Sequence, residues 1–165
     1  MPETGTPRTA FKLAEWLRQL HPALFVLVIA GLTFTVTVVG NIFLSSLIST
    51  PSTEGPLKSA SVGTRIVMGS LVGPLIETAL FQALPFWLLV QKLRLPSYVA
   101  VFASAALFGL AHNYSIEYVV LGFITGLILS FAYASVRPST GRAFVLVALS
   151  HALHNTISTA VMYWA

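Results

Sequence analysis

A long apolar run near the N-terminus, without any charged side chain, constrains the fold of this chain more than any other feature. Residues 22–48 contain no Asp, Glu, Lys or Arg, and about 20 apolar residues are enough for a helix to cross the hydrocarbon core of a bilayer. In lipid, every backbone N–H and C=O must find a partner within the protein, which a helix provides. The run therefore predicts a membrane-spanning helix that begins at Pro22, a residue suited to a first helical turn.

The deficit of charge extends over the whole chain. Only 8% of the 165 residues are charged and 56% are hydrophobic, whereas soluble domains carry about 25% charged residues. Four further apolar segments follow, at residues 66–90, 97–112, 116–136 and 143–164. The sequence therefore predicts an all-α integral membrane bundle of about five transmembrane helices.

The first residues differ in character from the rest. Apolar side chains recur there at helical spacing, at Leu13, Trp16, Leu17 and Leu20. This spacing predicts an amphipathic helix, which either lies in the headgroup layer or simply leads into the next helix. We divide the chain into a polar N-terminus with this helix (1–21), a first transmembrane helix (22–48) and a core (66–165), with a loop rich in Pro, Ser, Thr and Gly at 49–64.

Positive charges are distributed unevenly between the predicted loops. If the N-terminus is cytoplasmic, seven of the nine Lys and Arg residues lie on the inner side, and they are Arg8, Lys12, Arg18, Lys92, Arg94, Arg137 and Arg142. The outer side holds Lys58 and Arg65. Cytoplasmic loops carry such an excess, so we expect a cytoplasmic N-terminus and a C-terminus outside. Scattered charges also argue against a nucleic-acid surface, and without cysteine there is no disulfide or thiolate metal site.

Glu77 is the most unusual residue of the second predicted span. An ionisable side chain at mid-membrane costs about 2.5–3.5 kcal/mol on insertion scales, and such residues mark functional sites. Pro74 lies one turn earlier and, in α-helical register, leaves the carbonyl of Ser70 without its amide partner. The alternative is a structural glutamate, neutral or paired with a histidine.

Three histidines accompany this acid. His112 ends the third span, where a histidine is also common as an interfacial residue. His151 and Asn155 are four residues apart and share one face of the fifth span, with His154 somewhat to the side. A purely structural role as interhelical hydrogen bonds remains an alternative, and two histidines with an acid are also compatible with zinc. Their spacing alone does not decide between these roles.

Small residues also recur four apart in three of the predicted spans. The pairs are Gly69 and Gly73, Ala105 and Gly109, and Gly122 and Gly126. In lipid, helices associate by close backbone packing, which small residues allow. We therefore predict helix contacts at these positions.

Three stretches carry a resemblance to a known family: ETALFQ at 77–82, FGLAH at 108–112 and HALHN at 151–155. In order and spacing they resemble the motifs EExxxR, FxxxH and HxxxN of the CPBP family of CAAX proteases and bacteriocin-processing or self-immunity proteins. The resemblance covers about residues 66–160. It implies peptide-bond hydrolysis inside a bacterial or archaeal cell membrane. The implied partners are lipids and a membrane-bound or prenylated peptide. No nucleic-acid partner is expected, and the sequence does not indicate an oligomeric state.

The resemblance also implies roles for individual residues. Glu77 would activate a water as general base and His112 would help to hold it, while His151 and Asn155 would stabilise the oxyanion. Phe108 and His154 would support these side chains. No cofactor is required in this interpretation; the alternative is a zinc ion held by Glu77, His112 and His151.

One motif departs from the family pattern. Its second glutamate and its arginine are replaced by Thr78 and Gln82. Removing one member of a buried ion pair would strand a charge, at about 3–5 kcal/mol, so we expect the two residues to form a neutral hydrogen-bonded pair behind Glu77. The departure leaves open a non-catalytic protein of the same fold, such as an immunity or peptide-binding protein. A proton-coupled carrier is a third hypothesis, disfavoured because no inverted repeat is visible.

Overall fold

The computed structural model describes residues 8–47, 59–136 and 141–164, and throughout these residues the regular structure is helical, without strands. The six helices are α1 Arg8–Gln19, α2 Pro22–Leu47, α3 Val62–Lys92, α4 Ser97–Ala111, α5 Ile116–Ser135 and α6 Gly141–Trp164. The predicted all-α bundle is confirmed.

Four of these helices, α2, α3, α5 and α6, are long and apolar enough to cross a membrane, and the chain is an integral membrane protein. The third predicted span differs from the others, because α4 has only 15 residues. At 1.5 Å per residue its length is about 22 Å, short of the roughly 30 Å hydrocarbon core. The bundle thus has four helices of spanning length and one shorter apolar helix.

Helix boundaries agree with the predicted ones to within a few residues. Ser115 caps α5, since its side chain accepts a hydrogen bond from the amide of Tyr118. The predicted N-terminal helix is present as α1, which packs against α5 and buries Leu17. The first residues of the predicted 1–21 segment, most of the 49–64 loop and residues 137–140 lie outside the described part of the chain. Helices α3 and α6 begin at Val62 and Gly141, a few residues before the predicted positions 66 and 143.

Helix α3 is not a regular α-helix. Arg65–Val72, Ala79–Ala83 and Phe86–Lys92 are π-helical, and Gly73–Thr78 between the first two is α-helical. The amide of Gly73 donates to the carbonyl of Met68, five residues earlier. In this π-helical register, the missing amide of Pro74 leaves the carbonyl of Gly69 without a backbone partner. The α-helical register had predicted an unpartnered carbonyl at Ser70 instead.

Helices α4 and α5 form a tightly packed antiparallel hairpin. A Cβ on Gly109 would lie 2.8 Å from the carbonyl oxygen of Val119, and one on Gly126 would lie 3.0 Å from the Cα of Ala105. These distances leave no room for a side chain, so the two predicted glycine contacts are confirmed. At Gly73 the nearest atom is instead the carbonyl oxygen of Met68 in the same helix, at 2.9 Å.

The apolar core lies towards one end of the bundle. It includes Leu17 of α1, Phe25 near the start of α2, Leu129 and Val136 near the end of α5, and Ala143 near the start of α6. These positions place the core beside the end of α3 at Lys92 and the start of α6 at Arg142. The other half of the bundle is consequently free to hold polar side chains.

Candidate active site

A cavity of about 220 Å³ lies in that other half and is lined by polar side chains from five helices, α2 to α6. It is lined by all four residues predicted to be catalytic, which are Glu77, His112, His151 and Asn155. Phe108 and His154, predicted to support them, also line it. Residues far apart in sequence on α3, α4 and α6 are thus brought to one site; their catalytic roles stay predictions.

Glu77 points into the bundle and towards the imidazole of His151. Its Oε2 lies 3.5 Å from Nε2 of His151, and the two side chains are 29% and 4% exposed. This distance exceeds the roughly 2.7–3.2 Å of a direct N–H···O hydrogen bond, so the pair is close but not tightly bonded. The acid therefore keeps an accessible oxygen while its neighbour is almost fully enclosed.

His112 follows the last residue of α4 and is held by its own helix. Its Nδ1 lies 2.7 Å from the carbonyl oxygen of Phe108, and because a carbonyl can only accept, Nδ1 carries the proton. In the neutral ring Nε2 is then an acceptor. The ring of Phe108 lies between two imidazoles, with centroids 4.5 Å from His112 and 5.5 Å from His151. Phe108 thus holds both rings in place by aromatic packing.

Asn155 connects α6 to the irregular part of α3. Its Nδ2 donates to the carbonyl oxygen of Gly69 at 2.7 Å. This is the carbonyl that Pro74 and the π-helical register leave open, so the amide satisfies a backbone acceptor inside the membrane. The side-chain NH₂ has two hydrogens, and the second remains for a ligand in the cavity.

His154 is more central than its sequence position suggested. It is 8% exposed, lines the cavity and contacts Phe34 of α2 edge-on, with ring centroids 6.3 Å apart. Neither its Nδ1 nor that of His151 has a hydrogen-bond partner among the described residues. Buried nitrogens are normally bonded, so both are candidate contacts for water or substrate.

The hydrogen bond expected between Thr78 and Gln82 is not formed. Both side chains are fully buried, yet neither Thr78 Oγ1 nor the amide of Gln82 has a hydrogen-bond partner within the described chain. The reason is the change of register, because Ala79–Ala83 is π-helical and residues four apart no longer stack as they do in an α-helix. The expectation of a bonded pair was wrong.

Helix α2 also contributes to the cavity, which was not predicted from the sequence. Thr37 and Asn41 line the cavity, although α2 was predicted only as a span outside the core. Asn41 donates to the carbonyl of Thr37 at 2.9 Å, whereas Thr37 Oγ1 is buried without a partner in the described residues. Their spacing of four, on a helix without charge, was the signal that could have identified them. Tyr118 and Thr125 of α5 complete the polar lining.

The donor set does not form a ready metal centre. Among the described residues, no three acidic or histidine side chains are grouped closely enough to hold a metal ion. A zinc site usually has three protein ligands when catalytic and four when structural. The zinc alternative stays a prediction.

The class of protein follows from comparison with known families. The family model described as Type II CAAX prenyl endopeptidase Rce1-like matches residues 59–157. The match covers more than half of the chain, which belongs to this family of membrane proteases. The resemblance to CAAX proteases is thereby confirmed. Searches among curated proteins and among solved structures gave no match.

Proposed function

We propose that the protein is an intramembrane endopeptidase that hydrolyses a peptide bond of a membrane-associated substrate, with a water activated by Glu77 as nucleophile. The observation that carries the proposal is the convergence of an acid, two imidazoles and an amide on one cavity. Family membership supports the same reaction class. A carboxylate in a site with little water is well suited to act as general base.

The proposed reaction assigns each group a proton or a hydrogen bond. Glu77 removes a proton from water, whose oxygen is also bonded to Nε2 of His112, and the oxygen attacks the scissile carbonyl carbon. The resulting oxyanion accepts hydrogen bonds from His151 Nε2–H and from the second N–H of Asn155. Glu77 then transfers its proton to the departing nitrogen as the C–N bond breaks, which leaves a carboxylic acid and an amine.

Cleavage of a lipidated peptide carrying a fluorophore and a quencher tests this mechanism. A general base contributes about 100- to 10,000-fold, so we expect Glu77→Gln to reduce kcat by at least about 100-fold. Loss of an oxyanion donor costs about 100- to 1,000-fold in kcat, which we expect for His151→Ala. Glu15→Gln on α1, away from the cavity, is the matched control. Full turnover by Glu77→Gln would contradict the mechanism and favour a non-catalytic peptide-binding protein.

The proposed mechanism uses no metal. We expect purified protein dialysed against a zinc chelator to keep its activity within about twofold, because every proton transfer is assigned to a side chain. Loss of turnover on chelation, restored by zinc, would replace this mechanism with the zinc alternative.

The α2 wall of the cavity is proposed to bind the backbone of the substrate. Among the described residues, Thr37 Oγ1 has no hydrogen-bond partner, and of the Asn41 side chain only Nδ2 is engaged, which leaves its oxygen for a ligand. We expect Thr37→Val to raise KM by about 5- to 10-fold with little change in kcat, the effect of losing one hydrogen bond of about 1 kcal/mol. Thr35→Val, on the exposed side of the same helix, is the control. An unchanged KM would remove Thr37 from the binding surface.

A further inference from the structure

One imidazole of the cavity is not used by the proposed reaction. Glu77, His112, His151 and Asn155 account for its proton transfers and for the hydrogen bonds to the oxyanion, whereas His154 lines the same cavity and remains over. Its side chain is buried, and its Nδ1 has no hydrogen-bond partner within the described chain. Because buried polar nitrogens are normally bonded, this imidazole needs a partner that the reacting groups do not provide.

The position of His154 on α6 separates it from the groups that act on the scissile bond. At about 100° per residue, Asn155 lies about 40° to one side of His151 around the helix axis, and His154 about 60° to the other. Asn155 is turned towards α3, since it donates to the carbonyl of Gly69. The ring of His154 instead contacts Phe34 of α2, so this imidazole borders the α2 side of the cavity.

The facing side of α2 carries the polar groups already proposed to bind the substrate backbone. Phe34, Thr37 and Asn41 follow one another at spacings of three and four, so they share one face of α2. This is the face that His154 contacts through Phe34, and Thr37 and Asn41 line the cavity there. An imidazole, a hydroxyl and an amide thus lie together where α2 and α6 form the side of the cavity.

We infer that His154 is a substrate-binding residue, whose imidazole forms a hydrogen bond with the backbone of the peptide on the α2 side of the scissile bond. The inference deepens the proposed function and rests on it for the peptide nature of the ligand. A ring nitrogen of imidazole can donate to a carbonyl oxygen or accept from an N–H, so it suits either half of a peptide group. Since nearly all residues offer the same backbone groups, this contact holds the peptide without selecting its side chains.

Three substitutions separate hydrogen bonding from packing at this position. His154→Phe keeps a ring against Phe34 and removes both nitrogens, whereas His154→Asn and His154→Gln lose the ring and keep a polar group near the position of Nδ1 or Nε2. We expect His154→Phe to raise KM for the lipidated reporter peptide about 5- to 10-fold, the effect of one lost hydrogen bond, with kcat within about threefold. At least one of the two amide variants should keep KM within about threefold of wild type.

The control is His21→Phe, at an exposed position between α1 and α2, which should leave both constants unchanged. A wild-type KM in His154→Phe together with a raised KM in both amide variants would overturn the inference, because the ring would then only pack. An equally raised KM in all three variants would also overturn it, and so would a loss confined to kcat, which would place His154 among the reacting groups.

Binding measured without turnover separates this inference from the proposed reaction. A farnesylated peptide labelled with fluorescein is titrated with each variant in detergent micelles, well below the unfolding temperature, and its anisotropy gives Kd. We expect the Kd values to follow the order of the KM values. If they do so while wild type cleaves no peptide, the proposed hydrolysis fails and the binding role of His154 stands. If wild type cleaves the peptide and His154→Phe has wild-type Kd and KM, the hydrolysis stands and the inference fails.

Discussion

Several fully buried side chains carry polar atoms without a hydrogen-bond partner in the described residues, namely Ser70, Thr78, Gln82, Ser104 and Ser130. Gln82 is the largest of them, and both its amide nitrogen and its amide oxygen are unpartnered. Leaving a buried polar group unpaired costs about 1–3 kcal/mol, whereas an apolar group of the same shape can be neutral or stabilising. At Thr78 and Gln82, the glutamate and arginine of the family motif are thus replaced by neutral groups that contribute little to stability.

We expect Gln82→Met to increase the free energy of unfolding by about 1 kcal/mol, because it removes an unpaired amide while keeping a side chain of similar length. Gln91→Met, at an exposed position of the same helix, should have almost no effect. Unfolding of the two variants in detergent by increasing SDS is the measurement. Destabilisation by Gln82→Met beyond that of the control would show that the amide has a partner.

Individual residues also show how far sequence alone could lead. Glu77, His112 and His151 could be predicted because an ionisable group in an apolar helix is costly and conspicuous. Threonine is uncharged and common in membrane helices, so only the position of Thr37 in the cavity lining of the folded bundle reveals it. Thr78 and Gln82 were misjudged because their relation depends on a helical register that no local pattern specifies.

At the scale of elements, the α4–α5 hairpin positions His112. We expect Gly109→Ala to destabilise the protein by about 1–3 kcal/mol, the usual cost of overpacking, since its Cβ would meet the backbone of α5 at 2.8 Å. Gly31→Ala on α2, where no atom lies within 4 Å, should instead be neutral or gain up to about 1 kcal/mol in helix propensity. Thermal unfolding in detergent distinguishes them, and equal effects would argue against tight packing of α4 on α5.

Helix bounds were accessible from sequence because they follow from local signals, such as the apolar run of α2 and the cap of α5 at Ser115. The π-helical segments of α3 were not, because two prolines remove amides at Pro74 and Pro85 without specifying how the chain compensates. In the folded bundle, the compensation at Gly69 comes from Asn155, which is 86 residues away in sequence.

At the scale of the whole molecule, the apolar core and the polar cavity lie towards different ends of the bundle and meet at Phe108. Leu129 belongs to the core and is fully buried. We expect Leu129→Ala to cost about 2–5 kcal/mol of stability through the cavity it leaves, while kcat and KM of the folded fraction change by less than about twofold. Measuring turnover well below the unfolding temperature tests this separation. A large change in kcat under conditions where Leu129→Ala is fully folded would mean that the apolar core and the cavity are coupled.

The shortness of α4 has a consequence for the surrounding lipid. A helix of about 22 Å next to partners of spanning length leaves the acyl chains beside His112 without a matching apolar surface. A bilayer adapts to such a mismatch by thinning locally. Headgroups and water would then lie closer to the imidazole of His112, and under the proposed function a polar peptide would cross less hydrocarbon to reach Glu77.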